Sequence, residues 1–142
     1  MAAPTLDPTA DQLHGATAAL AGAGAVTMLN LLRYRDQADY REHPQQAPCS
    51  GREAYARYAA AALACVEHVG GRVVYVGAAA SNVIGPADET WDDVLLVEYP
   101  SIEAFLDMLR SPPYQACVHH RRAALADSRL VPTRAGHAAY RG

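Results

Sequence analysis

One arginine carries the first chemical question. In SPPYQACVHHRRAALADSRL, residues 111–130, Ser111 suits a helix N-cap and Pro112 the first helical position, where a proline does no harm. At about 100° per residue, Tyr114, Cys117, Val118 and Leu125 fall on one apolar face with Arg121 near its centre, while His119 and Arg122 point elsewhere. A guanidinium keeps its charge, so a buried one needs a carboxylate partner or a ligand anion. Glu98, inside the apolar run DVLLVEY, poses the mirror-image problem. In one reading Arg121 snorkels to solvent or pairs structurally with Glu98, as in a non-catalytic dimeric binding or structural protein. In the other it holds an anionic or carbonyl-bearing ligand in a pocket between helices and sheet.

Further polar groups fall where apolar ones are expected. Asn30 is the one polar interior residue of VTMLNLLRY and must be hydrogen-bonded to protein or to ligand. Tyr55 and Tyr58 bring phenols to one helix face, either to orient a ligand or to pack as core tyrosines. Tyr34 ends the first strand. The candidate ligand-binding set is therefore Arg121, Glu98, Asn30, Tyr114, Tyr58 and Tyr34, with no catalytic residue assigned and no metal or cofactor expected. His119 and His120 are adjacent, which suits a solvated pair better than a metal site, and no HxxxH or HExxH spacing exists. His43 and Tyr40 lie in a long loop that could close over a pocket. There is no GxSxG elbow and no glycine-rich phosphate motif. All 12 basic side chains are arginine, which excludes Schiff-base chemistry and a phosphate-loop lysine.

These residues need a frame. The chain has 142 residues, the size of one domain, and a net charge of -3 with no run of like charge, so no polyanion partner is suggested. Cys49, Cys65 and Cys117 form no CxxC pattern and read as reduced packing residues. No apolar run approaches the roughly 20 residues of a membrane span, and the N-terminus lacks the charge pattern of a secretory signal; a cytoplasmic protein is the expectation.

Thr9 with Gln12, and Ser50 with Glu53, have capping-box spacing. They open a short leading helix and a longer one whose inward stripe is Tyr55, Tyr58, Ala59, Ala62, Leu63, Val66 and Val69, ended by Gly70-Gly71. Val26–Tyr34 reads as a strand buried on both faces, Arg72–Ala80 as a second and Asp93–Tyr99 as a third. Ser101 caps a helix with Ile102, Phe105, Leu106 and Leu109 inward, and Arg129–Thr133 is a last short strand. Strand, helix, two strands, helical pair, strand is the split βαβ order: an α+β, ferredoxin-like sandwich, its antiparallel sheet covered by helices on one face. The expected organisation is an N-terminal helical extension (1–24), a domain over 25–134 with a long loop at 35–49, and a tail (135–142). An RNA-recognition reading needs exposed aromatic and basic residues on the central strands, which DDVLLVEYP lacks.

GGRVVYVG, then VLLVEYPSIEAFLDMLRSPPYQACVHHRRAAL, then SRLVPT resemble the family called domain of unknown function 1330, over roughly Val26 to Thr133. The signature is a glycine pair and strand, E-Y-P-S (Glu98–Ser101), and S-P-x-Y (Ser111–Tyr114) with Arg121 seven residues on. The resemblance implies a subunit whose sheet packs on that of a second copy, a homodimeric α+β barrel. Similar barrels include cofactor-independent monooxygenases of phenolic substrates, haem-degrading enzymes and lactone isomerases. Others have no demonstrated activity; an enzyme reading places a small anionic or phenolic molecule among Arg121, Glu98, Asn30 and Tyr114, with Arg121 holding developing negative charge and Glu98 or a tyrosine moving a proton.

Overall fold

A computed structural model describes residues 3–136. The elements run α1 (Ala10–Leu20), β1 (Val26–Tyr34), α2 (Gly51–His68), β2 (Arg72–Ala78), β3 (Asp93–Tyr99), α3 (Ile102–Arg110), α4 (Pro112–Ala124) and β4 (Leu125–Thr133). The four strands form one antiparallel sheet in the order β2-β3-β1-β4, the ferredoxin-like topology.

Local chemistry sets the helix starts. Thr9 with Gln12 and Ser50 with Glu53 both close reciprocal capping boxes. Ser101 accepts from the Ala104 amide, and Ser111 from that of Tyr114 with Pro112 at N1. Gly70 ends α2 at φ +85°, a conformation that side chains with a Cβ rarely adopt. At the other end of α2, a Cβ on Gly51 would run into the carbonyl oxygens of Arg35 and Ala124. The Gly51 amide donates to Arg35 O at 3.1 Å, and the Arg35 amide to Ala124 O at 2.9 Å. These bonds fasten the start of α2 to the ends of β1 and α4.

Two expectations are corrected. The last helix stops at Ala124, and Leu125 is already strand, so β4 is longer than Arg129–Thr133. Eight of its nine residues pair with β1, from Tyr34↔Leu125 to Thr27↔Thr133 with Ala126 left out at a register shift, and ladder bonds override the helical spacing of ALADSRL. Leu63, placed on the inward stripe of α2, is 46% exposed, because the buried face is carried by Ala54, Ala62, Cys65 and Val66.

Val26, Met28, Asn30 and Leu32 of β1 are buried in strict alternation and face the helices with Val97 and Tyr99 of β3. The apolar interior divides in two. One cluster gathers Met28, Val97, Phe105, Tyr114 and Val118; the other gathers Leu32, Ala54, Ala123 and Leu125. The opposite sheet face carries no helix, and its cross-strand rows are Tyr75–Leu96–Leu29–Val131 and Gly77–Val94–Leu31–Arg129.

Candidate functional site

The division of the core is where the polar residues lie. On β1 Asn30 falls between Met28 of the first cluster and Leu32 of the second; on α4 Arg121 falls between Val118 and Ala123. On α2 Tyr55 packs against the second cluster and Tyr58 against the first. A polar seam thus crosses the interior, one contribution from each layer.

Arg121 is 9% exposed. Its Nη1 donates to the backbone carbonyl of Leu6, in the segment that precedes α1. Among the described residues no carboxylate lies within ion-pair distance of it. Burial of a guanidinium is tolerable against a carbonyl dipole, but a full countercharge would stabilise it more.

Four phenols follow in sequence beside it. Ring centroids lie 5.5 Å apart for Tyr34–Tyr55, 5.3 Å for Tyr55–Tyr58 and 6.0 Å for Tyr58–Tyr114. The Tyr58 and Tyr114 hydroxyls are 3.0 Å apart. Tyr34 donates to Asp93 Oδ2 at 2.6 Å, and the Arg52 guanidinium lies 4.7 Å from the centroid of the Tyr34 ring. Asn30 Nδ2 donates to Leu95 O at 3.2 Å and, more weakly, to Met28 O at 3.4 Å. Its Oδ1 accepts no bond among the described residues, nor does Tyr55 make one through its hydroxyl, yet neither atom is sealed from accessible space.

Every phenol of the seam stays protonated at neutral pH. Burial pushes Tyr55 up to about 12, against the opposing pull of Arg121. Burial, then Tyr114, raises Tyr58, and burial, then the bond to Asp93, raises Tyr34. Tyr114 is raised by burial, which the Tyr58 bond and Arg121 partly offset. Around Arg121 the array is a fixed cation with neutral O–H donors, which complements an oxyanion; the carboxylate at its Tyr34 end, Asp93, accepts from the Tyr34 hydroxyl and lies 3.6 Å from Arg52.

Glu98 is not part of it. It lies on the helix-free face in the row Arg72–Glu98–Thr27, where Arg72 Nε donates to Oε1 at 3.1 Å with both side chains open to solvent. The expected Arg121–Glu98 pair is therefore absent, and Glu98 cannot move a proton at Arg121. Strand alternation is the reason, since Val97 and Tyr99 take the helix side. Of the six candidates, Tyr34, Tyr58 and Tyr114 are joined through Tyr55 in one ring series beside Arg121, and Asn30 faces the helices on β1 with its amide bonded to Leu95 O.

What sequence reading missed is the strap, residues 3–9 before α1. Thr5 donates its amide to Asp127 Oδ1 at 2.9 Å and its hydroxyl to Ser128 O at 2.7 Å, while Ser128 Oγ donates to Thr5 O at 2.6 Å. Asp7 accepts twice from Arg122 Nε, at 2.9 and 3.0 Å. Apart from the Thr9 cap at its end, no periodicity or motif marks this segment, so nothing short of the fold locates the partners of Thr5, Leu6 and Asp7. Two surface hollows adjoin the seam: one of about 440 Å³ with Leu6 and Ala123 in its wall, and one of about 240 Å³ with Tyr34 and Arg52. Among the described residues no helix is long and apolar enough to cross a membrane, and no group of three or more His, Cys, Asp or Glu could hold a metal ion.

Comparison with known proteins agrees with the architecture. The family model "Domain of unknown function (DUF1330)" matches residues 45–133, so β1, which the sequence resemblance included, precedes the matched span. A crystal structure of the RPA0582 protein of unknown function from Rhodopseudomonas palustris is 39% identical, with a TM-score of 0.85 over 94% of this chain and 98% of that one. The methylated form of that protein gives 38%, 0.87, 96% and 98%. An uncharacterised NIPSNAP domain protein from Burkholderia xenovorans, 14% identical with a TM-score of 0.51 over 83% of this chain and 98% of that one, shares the fold. No curated protein matches the sequence.

Proposed function

Since the chain belongs to the DUF1330 family, whose name assigns no activity, we propose from the seam alone that it binds a small aromatic molecule carrying a carboxylate or a phenol. Arg121 is the counterion, and Tyr55, Tyr58 and Tyr114 are the hydrogen-bond donors. The observation that carries this reading is the buried Arg121 guanidinium, met by the Leu6 carbonyl where an anion would bind better. A ligand oxyanion replaces that carbonyl, and Asn30 Oδ1 is an acceptor for a ligand hydroxyl.

The chemistry this supports is cofactor-independent, of oxygenase or isomerase type. Burial alone holds a phenol's proton, as it does for Tyr55 and Tyr58. A ligand phenol whose oxygen accepts directly from the Arg121 guanidinium and the seam hydroxyls is instead stabilised as the phenolate, gives its proton to solvent, and is then the electron-rich species such reactions begin from. Arg121 and the phenols hold the developing charge. The second reading, a binding protein without turnover, is favoured by the lack of an ionised base beside Arg121 among the described residues.

The test uses 4-nitrophenol, whose yellow phenolate reports its own ionisation. Binding to the full chain should lower the probe's apparent pKa, and Arg121→Met should abolish the effect. A probe that binds with an unshifted pKa, or equally well to the variant, refutes the reading. Oxygen uptake with a panel of phenols then separates the enzyme from the binder.

We also propose that the helix-free sheet face packs on a second copy. The apolar row Tyr75–Leu96–Leu29–Val131 supports this, with Tyr75 55% and Val131 47% exposed in the single chain. The three free cysteines suit a reducing, cytoplasmic setting.

A further inference from the structure

The 440 Å³ hollow beside the strap shares Leu6 and Ala123 with the surroundings of the seam, but its polar side chains take no part there. Its polar groups come from two elements, the 35–49 loop and α4, with the strap along one side.

Three imidazoles stack at this surface. The His43 and His119 ring centroids are 4.4 Å apart and those of His119 and His120 4.0 Å, at interplanar angles of 34° and 38°. Neighbours on a helix do not ordinarily face each other, but here both rings turn toward the loop. His120 is tied inward, its Nδ1 2.7 Å from the Tyr40 hydroxyl, which Arg57 of α2 also reaches at 3.4 Å. His43 and His119 line the hollow itself.

The charges around it are unequally matched. Asp39 holds Arg41 through two bonds of 2.9 and 2.8 Å, and Asp7 holds Arg122 through two more, so four of the charges cancel in pairs. Glu42 is the remaining acid. Arg35 has no carboxylate within ion-pair distance among the described residues, and its Nε is buried without a hydrogen-bond partner. That N–H is closed off from solvent, so a ligand in the hollow would meet the Arg35 guanidinium at its terminal nitrogens, whose charge no carboxylate of the described residues offsets.

We propose that this hollow is a second binding site, distinct from the seam, for a small dianionic oxyanion such as a phosphate group, held by Arg35 together with protonated His43 and His119. A tetrahedral oxyanion offers acceptors to the guanidinium and to both rings at once, and its charge offsets the mutual repulsion of stacked imidazolium ions. Without it His119 and His120 resist protonation. Burial, then His43 and Arg122, holds His119 below the ordinary imidazole range, and burial, then His119, Arg57 and His43, does the same to His120. Binding therefore takes up protons, and affinity rises as the pH falls toward and below the ordinary imidazole value of about 6.5. Glu42 sets the limit from the other side, since its carboxylate repels the same ligand.

The experiment is calorimetric titration of inorganic sulfate, a tetrahedral oxyanion that stays dianionic throughout the range, into the full chain at about pH 6 and about pH 8, either side of ordinary imidazole ionisation, in two buffers of different ionisation enthalpy. Histidine-ring carbon–proton spectra are recorded alongside. Binding should be at least about tenfold tighter at the lower pH, with net proton uptake, and two histidine rings should titrate at higher pH when sulfate is present. Arg35→Gln should weaken binding by about tenfold, and His119→Gln should reduce the proton uptake. Equal affinity at both pH values, no binding, or a heat unchanged by both variants overturns the proposal. Should a variant fail to fold, the ring titrations of the unaltered protein decide alone: unmoved by sulfate, they overturn it.

Discussion

Arg121 donates its Nη1 proton to the carbonyl of Leu6, residues 115 apart in the chain. That bond joins the charge at the centre of α4 to a segment held mostly by hydrogen bonds at its neighbour Thr5. It makes the strap a competitor of any anion that approaches the guanidinium along its Nη1 edge, where one of its N–H donors is already taken.

Removing residues 1–8 should therefore act in opposite directions on stability and binding. The Thr5 network and the Leu6 contacts stabilise by about 2–4 kcal/mol, at about 0.5–1.5 kcal/mol per net hydrogen bond plus apolar burial. The melting temperature should fall accordingly, while 4-nitrophenol should bind more tightly once Leu6 no longer competes. Calorimetric unfolding and absorbance titration check the two halves.

Arg121→Met should leave the fold intact. Replacing an uncompensated buried cation by an apolar chain of similar length is close to neutral or stabilising, so the midpoint of urea unfolding should hold or rise. Binding of the phenolic probe should fall at least about tenfold. A large loss of stability would show instead that the guanidinium is structural.

The 3.0 Å Tyr58–Tyr114 hydroxyl contact can be weighed by a double-mutant cycle. Each Tyr→Phe change should cost about 1 kcal/mol, and the double change less than the sum, with a coupling of about 0.5–1.5 kcal/mol. Strict additivity in denaturant unfolding would mean that the two hydroxyls do not interact in solution.

Leu31→Glu places a charge in the central strand on the helix-free face, beside Val94. Sedimentation should find the unaltered chain as a dimer and this variant as a monomer with unchanged secondary structure. A dimer in both would move the interface elsewhere.

Acid should loosen the strap before the core. Burial raises Asp127, but the Thr5 and Ser128 amides and Arg129 outweigh it and hold the carboxyl below its ordinary range. A depressed folded value contributes stability above about 3.9, the ordinary carboxyl value, and loses it as pH falls through the folded one. Protection of the Thr5 amide, relative to its intrinsic exchange rate, should fall below about pH 4 ahead of protection in β1, and Asp127→Asn should show the same looseness at neutral pH.

Much of this was legible in the chain, for identifiable reasons. Ser50 with Glu53 and Ser111 with Pro112 announce their helices because capping is local chemistry, and Arg121 is found by period alone. Glu98 misled because the run DVLLVEY does not say which side of the pleat meets the helices; that follows from Val97 and Tyr99 once β3 pairs with β1. Leu125 misled because it fits both a helical stripe and a strand, and only its pairing with Tyr34 decides. Thr5 and Leu6 carry no local signal at all, since their partners lie more than 100 residues away.

The direct passage from α4 into β4 has a mechanical meaning. Ala124 ends the helix and Leu125 begins the strand, so no loop gives slack between them. Arg121 rides on one arm of this elbow, and Asp127, Ser128 and Arg129, which grip Thr5, ride on the other. A small tilt of the helix on filling the seam would be geared straight into the strap's moorings, so that loading the site and releasing its cover become one motion.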